Sequence, residues 1–318
     1  MQDKKKRTAV ITGVSGFIGS YLVSLLNKKG WKVYGISVKK MPDNSLYCLA
    51  KFVLCDIRKP AYTMKIFQEI KPDVVFHLAA QSYPTLSWRF PHLTFDSNIL
   101  GTYNVLNAIL KTNPQAIVAI ASSSAVYGYV SESEVPVKEE QETKPLHPYG
   151  VSKLATESFA YMFHKVFGLR CIIARIFNTI GPGKQGDVVG DFCKRLVHIE
   201  KGNCAPILRV GNLESRRAFI DVRDTVQALY LLAEKGRPGE AYNISGLKPI
   251  RVGDLLEMLL QFSRVKVTIK SDPKLFRYFE EPVIWGDITK IQAETEWSPQ
   301  IPLKKTLEDT LNWWRDAD

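Results

Sequence analysis

Gly13-Val14-Ser15-Gly16-Phe17-Ile18-Gly19 follows the apolar Ala9-Val10-Ile11 and opens a helix-period stretch over 16–29. Glycine tolerates positive φ in a tight strand-to-helix turn, and a missing Cβ lets a phosphate approach the backbone. The free N–H groups and partial positive charge of the helix amino terminus favour an anion there. A glycine cluster alone also serves packing. With a strand before it and a helix after it, the pattern predicts a bound dinucleotide with its pyrophosphate at this turn, and Gly13, Ser15, Gly16, Phe17, Ile18 and Gly19 as cofactor contacts.

Outward from this turn, 10–12, 33–37, 51–54, 74–78, 117–122 and 171–176 are short, nearly continuous apolar runs rich in β-branched residues. Continuous apolarity implies strands covered on both faces, as in a parallel sheet. Helix-period stretches at 16–29, 65–71, 98–111 and 149–167 alternate with them. The expected fold is therefore a doubly wound parallel α/β sheet, with ligands at the carboxyl ends of its strands. Residues 1–178 form this dinucleotide-binding domain. Residues 179–318 form a smaller mixed α/β lobe, with helices at 192–201, 222–235, 252–262 and 303–314. A strand at 241–245 suggests that the chain rejoins the sheet at about 219–246.

The 318 residues, 45% hydrophobic and 24% charged, fit a globular protein with a sizeable core. No apolar run reaches the ~18–20 residues of a membrane-spanning helix. The apolar stretch after Lys4–Arg7 is too short for a signal peptide, so a cytoplasmic address is expected. Forty-three Lys and Arg against 32 Asp and Glu give +11, but the excess is scattered. Without aromatic interleaving this disfavours nucleic acid and leaves an anionic small molecule. Five cysteines without C-x-x-C spacing predict neither a metal site nor a paired disulfide framework, and we expect reduced thiols in or near the core.

The second strand ends in Ser37-Val38-Lys39-Lys40, with no acid. A carboxylate there would hold the ribose hydroxyls of NAD, whereas cations suit the 2′-phosphate of NADP. Lys39 and Lys40 therefore favour NADP(H), with NAD(H) still open, and Ser37 and Lys39 are candidate cofactor contacts. Asp56 and Ile57, after the third strand, are a candidate adenine contact, and Asp56 could equally cap a helix.

Tyr149 and Lys153 are four apart after Pro148, so on a helix they share a face. At about 4 Å and an effective dielectric near 20, an ammonium favours a phenolate by about 4 kcal/mol, enough to bring a phenol from about 10 toward 7. Such a phenol exchanges protons with a hydroxyl or ketone. Ser122-Ser123-Ser124 ends an apolar strand, where a hydroxyl could bind the substrate oxygen. Serines also cap and turn chains.

Together, Gly13-x-x-Gly16-x-x-Gly19, Asp56, His77-Leu78-Ala79-Ala80, Ser123 with Tyr149 and Lys153, and Arg175-Ile176-Phe177-Asn178 resemble the extended short-chain dehydrogenases/reductases that modify nucleotide sugars. Gly181-Pro182-Gly183, Val210-Gly211-Asn212, Phe219-Ile220-Asp221-Val222-Arg223-Asp224 and Tyr242-Asn243-Ile244-Ser245-Gly246 are similar to their GDP-mannose branch. The resemblance spans essentially the whole chain and implies a Rossmann fold. It makes Ser123, Tyr149 and Lys153 the catalytic set. Leu78, Ala79, Ala80, Asn98 and Ile176 join the cofactor contacts, and Ser82, Ser124, Asn178, Arg217 and Arg277 become substrate contacts. It further implies a GDP-linked sugar substrate and a homodimer, with no metal, nucleic acid or membrane.

The implied reaction is NADP(H)-dependent reduction of the 4-keto group of a GDP-4-keto-6-deoxyhexose. A 4-epimerase or 4-dehydrogenase that retains its cofactor is the alternative, ahead of a 4,6-dehydratase. Dehydratases of the family carry a carboxylate two residues before the tyrosine of the strand-end motif, where this chain has Ala125, and reductases of the branch often carry an acid there too. Val38 replaces a frequent arginine, and Ala218 a frequent aspartate.

Overall fold

The computed structural model describes residues 6–40, 48–276 and 281–317. Arg277 and the first two residues of the Lys4–Arg7 run lie outside them. Strands β1 (Thr8–Thr12), β2 (Lys32–Ser37), β3 (Lys51–Leu54), β4 (Val74–His77), β5 (Ile117–Ser123) and β6 (Arg170–Ile176) belong to the main sheet. They are followed by β7 (Asn178–Ile180), β8 (Ile207–Val210), β9 (Arg216–Arg217), β10 (Phe219–Asp221), β11 (Ala241–Ile244), β12 (Ile250–Arg251), β13 (Thr268–Ser271) and β14 (Val283–Ile284). The main sheet has seven parallel strands in the order β11-β6-β5-β4-β1-β2-β3. This is the expected doubly wound Rossmann-type fold. Strand order reverses between β1 and β4, and the crevice above that point is where such sheets bind ligands.

Both faces are covered, which is why the central strands read as unbroken apolar runs. Ala9, Ile11 and Phe76 face the helices Phe17–Lys28 and Val222–Lys235. Val10, Val75 and Ile120 face Pro60–Ile70, Gly101–Thr112 and Pro148–Phe167. The first of these three helices begins at Pro60, five residues before the expected start, because proline at the first helical position needs no N–H partner. β11 pairs with β6 beyond the excursion that builds the second lobe. That lobe has its own core around Phe192, Leu196, Leu255 and Leu311. Cys55, Cys171 and Cys193 are buried free thiols, but Cys48 and Cys204 are exposed, correcting the expectation that all five lie in or near the core. Cys48 follows β2 and Cys204 a helix end, where no strand or helix face covers them.

Candidate active site

At the switch point Gly13 has φ +74°, and a Cβ there would stand 2.7 Å from the Ala79 amide nitrogen. The end of β1 thus lies against Leu78 and Ala79, and only glycine allows the approach. A Cβ on Gly19 would meet the Gly13 carbonyl at 2.5 Å, so the third glycine seats the helix on the turn. Gly16 differs, because a Cβ there would have only the Gly13 carbonyl oxygen, at 3.1 Å, within reach. Its outer side is open. Phe17–Lys28 begins with no side-chain cap and no acid in its first turn. Open backbone at an uncapped helix amino terminus fits a pyrophosphate.

Around this cradle the remaining expected contacts fall at the same sheet edge. Ser15 and Ser37 share a hydrogen bond between hydroxyls, Ser37 Oγ also accepts from the Lys39 amide at 3.1 Å, and Lys39 itself is exposed. Asp56 forms a two-pronged ion pair with Arg58, whose hydrogen bonds hold its carboxyl below the usual carboxylate range. The expected adenine contact therefore already has a partner. Ile57 packs in the core against the Gly101 backbone, and its carbonyl accepts from Asn104 at 3.0 Å. Leu78, Ala79 and Ala80 are half-buried at the end of β4 and Ser82 is exposed beyond them, while Ile176 is buried at the end of β6.

Asn98 occupies a π-turn, Asp96–Leu100, that leads into the helix Gly101–Thr112. Its amide donates to the Gln81 carbonyl at 3.0 Å and the Ser152 hydroxyl at 2.9 Å, and accepts from the Gln81 amide at 2.7 Å. It clamps the β4 loop to the helix of Tyr149 and Lys153. His77 is likewise structural: Nδ1 faces Thr12 Oγ1 at 2.7 Å and Nε2 faces Thr102 Oγ1 at 2.9 Å. Burial, with Lys153 nearby, pushes its pKa down to about 3.

Tyr149 and Lys153 lie in the first turns of Pro148–Phe167, a helix capped by the His147 ring accepting from the Gly150 amide at 3.0 Å. Both are buried on one face, with Lys153 Nζ 5.9 Å from the centre of the Tyr149 ring. Nζ donates to the Ala121 carbonyl at 2.7 Å. The Ser123 hydroxyl accepts from the Ala125 amide at 3.2 Å and stands close enough to the Tyr149 phenol to favour its ionised form. Burial raises the Tyr149 pKa above its ordinary value, against the opposing pull of Ser123. The expected fall toward 7 is thus not seen, because desolvation disfavours the phenolate. Lys153 is itself pushed down to about 8 by burial, with Glu157 opposing.

Ser124 and Ala125 follow in a half-buried turn. Asn178, at the start of β7, has a buried side-chain nitrogen with no hydrogen-bond partner. A buried orphan donor costs about 1–3 kcal/mol unless a ligand satisfies it. Arg217 is buried on β9, donating to the Arg216 carbonyl at 3.0 Å and to Glu281 at 3.3 Å, so a carboxylate already neutralises the expected phosphate ligand.

Sequence reading missed two charged groups here. Lys184, after Gly181-Pro182-Gly183, stands with Nζ 5.0 Å from the centre of the Phe17 ring, at the mouth of the glycine turn. Glu157 lies one turn beyond Lys153 and was legible in its i, i+4 spacing. Among the described residues no group of three His, Cys, Asp or Glu side chains could hold a metal ion.

The sequence profile described as GDP-mannose 4,6 dehydratase matches residues 10–310. The chain belongs to this family. Among its relatives is the GDP-6-deoxy-D-mannose reductase of Pseudomonas aeruginosa, 32% identical over 307 residues and covering 96% of each chain. The solved structure of RMD from Pseudomonas aeruginosa, complexed with NADPH, superposes with a TM-score of 0.86 at 30% identity, over 98% of this chain and 100% of that one. The UDP-glucose 4-epimerase of Thermotoga maritima, solved with UDP-glucose, gives 0.87 at 26%, over 98% and 99%. The family member described here is an enzyme of the extended short-chain dehydrogenase/reductase type that works on nucleotide sugars.

Proposed function

We propose that this enzyme uses NADPH to reduce the 4-keto group of a GDP-linked 4-keto-6-deoxyhexose. The observation that carries the reading is the strand-end turn, where Ser123 stands beside Tyr149 and is followed by Ser124 and Ala125, with no carboxylate in the turn. That equipment serves proton exchange on one oxygen and lacks the second acid–base group of elimination. Similarity to a GDP-6-deoxy-D-mannose reductase and to RMD with NADPH supports the same choice.

A nicotinamide cofactor fits the open, uncapped turn at Gly16, with Ser15, Ser37, Lys39, Leu78, Ala79, Ala80 and Ile176 around it. When bound in reduced form it supplies the hydride. Tyr149, kept protonated by burial, donates its proton to the oxygen at sugar C4. Ser123 hydrogen-bonds that same oxygen, and Lys153, fixed by the Ala121 carbonyl, stabilises the phenolate left behind. Asn178 offers its free N–H to the sugar or its diphosphate, and Arg217 meets the diphosphate by exchanging Glu281. The exposed Lys39, in a strand-end stretch Ser37-Val38-Lys39-Lys40 that carries no acid, supports NADPH over NADH. Exposed Tyr103 and Val151 support a homodimer through the Gly101–Thr112 and Pro148–Phe167 faces.

Incubation of the purified protein with NADPH and the 4-keto-6-deoxy GDP-sugar tests the reading. Loss of reduced-nicotinamide absorbance with formation of the 4-hydroxy sugar is expected. Unchanged absorbance from a protein that binds NADPH would discard it, and a bound cofactor that cycles without net consumption would indicate epimerisation.

A further inference from the structure

We propose that Glu157 is a positioning residue: its buried carboxylate is the counter-charge that keeps Lys153 an ammonium beside Tyr149, and Ser122 and Arg175 hold that carboxylate in place. The inference rests on the reading of Tyr149 and Lys153 as the catalytic pair. Glu157 and Lys153 are each 5% exposed and share one helix face. The Ser122 hydroxyl donates to Glu157 Oε1. Arg175, reaching over from β6, donates to the carboxylate from Nε at 3.0 Å and from Nη2 at 2.8 Å. Arg175 Nη1 continues to the Tyr127 hydroxyl at 3.0 Å, and that hydroxyl donates to Asn243 at 2.7 Å. The network therefore ties the catalytic helix to β5, β6 and β11.

The groups around Lys153 explain why a carboxylate is needed. From β4, His77 is held neutral by burial and supplies no negative charge. β5 contributes the Ala121 carbonyl, a dipole only. On the same helix, Tyr149 is held as the neutral phenol. β6 brings Arg175, a second cation. A buried ammonium without an opposite charge sheds its proton, and Glu157 is the group whose charge opposes burial at Lys153. Because Ser122 precedes Ser123, the same bond fixes the strand end at which Ser123 meets Tyr149.

The test compares wild type, Glu157→Gln and Arg175→Gln, with folding checked by circular dichroism. Two quantities are followed against pH: the NADPH dissociation constant, read from the fluorescence of bound reduced nicotinamide, and kcat/KM for the 4-keto sugar nucleotide. The wild-type alkaline limb is expected near pH 8. Glu157→Gln should move it down by about one pH unit, a loss of about fivefold at pH 8 that approaches tenfold above about pH 9 and nearly vanishes at pH 6. Arg175→Gln, which leaves the carboxylate to the lysine alone, should move it up. A folded Glu157→Gln variant with an unmoved limb overturns the proposal. If that variant does not fold, Arg175→Gln decides alone, and an unmoved or lowered limb overturns it. NADPH binding needs no sugar, so failure to reduce the sugar would be seen separately.

Discussion

A Cβ on Gly150 would stand 2.6 Å from the Ala125 carbonyl oxygen, so the helix bearing Tyr149 and the turn bearing Ser123 meet backbone to backbone. Gly150→Ala should push the two apart, at a cost of about 1–3 kcal/mol in stability. Because the phenol and the Ser123 hydroxyl separate, kcat should fall while the NADPH dissociation constant stays near wild type. Thermal melts with steady-state kinetics check this, and an unchanged kcat would show that the contact does not set the Ser123–Tyr149 geometry.

Removing the phenol itself isolates proton donation. Tyr149→Phe should lower kcat by about 10²–10⁴. Fluorescence titration should still find NADPH bound, since Lys153 keeps its bond to the Ala121 carbonyl. Near-normal turnover would reject Tyr149 as the acid.

Asn178 separates stability from function. Replacing its unpartnered amide with the similarly sized Leu removes a buried orphan donor, so stability should hold or rise by up to about 2 kcal/mol. KM for the sugar nucleotide should rise at the same time. Lower stability with unchanged KM would mean that the amide serves the fold.

His77 makes folding acid-sensitive. Its pKa is about 3 in the folded chain against 6.5 ordinarily, so between those values the unfolded chain binds the extra proton. Stability is then fully present above about pH 6.5 and falls on acidification, by about 1.4 kcal/mol per pH unit from this group. Tm of wild type should drop between pH 6.5 and 4.5 more than that of His77→Gln, and equal slopes would assign the acid sensitivity elsewhere.

Lys39 is the simplest test of cofactor choice. Lys39→Glu should weaken NADPH about tenfold or more and leave NADH nearly unaffected, because only NADPH carries a 2′-phosphate for the new carboxylate to repel. Parallel titrations with both dinucleotides decide it, and equal losses would remove Lys39 from the phosphate site.

The amino-acid sequence determined what depends on near neighbours in the chain. Gly13 to Gly19 dictate a strand, a tight turn and a helix amino terminus, and four-residue spacing places Tyr149, Lys153 and Glu157 on one face. Unbroken apolar strands required a sheet covered on both sides. Tertiary structure decided partners and charge states. It committed the Asn98 amide to Gln81 and Ser152, set Arg217 against Glu281, and left the Asn178 nitrogen without a mate. It also raised the Tyr149 pKa where spacing alone predicted a fall. Chain geometry fixes contacts a few residues apart, whereas desolvation and the pairing of polar atoms depend on which distant segments pack around a side chain.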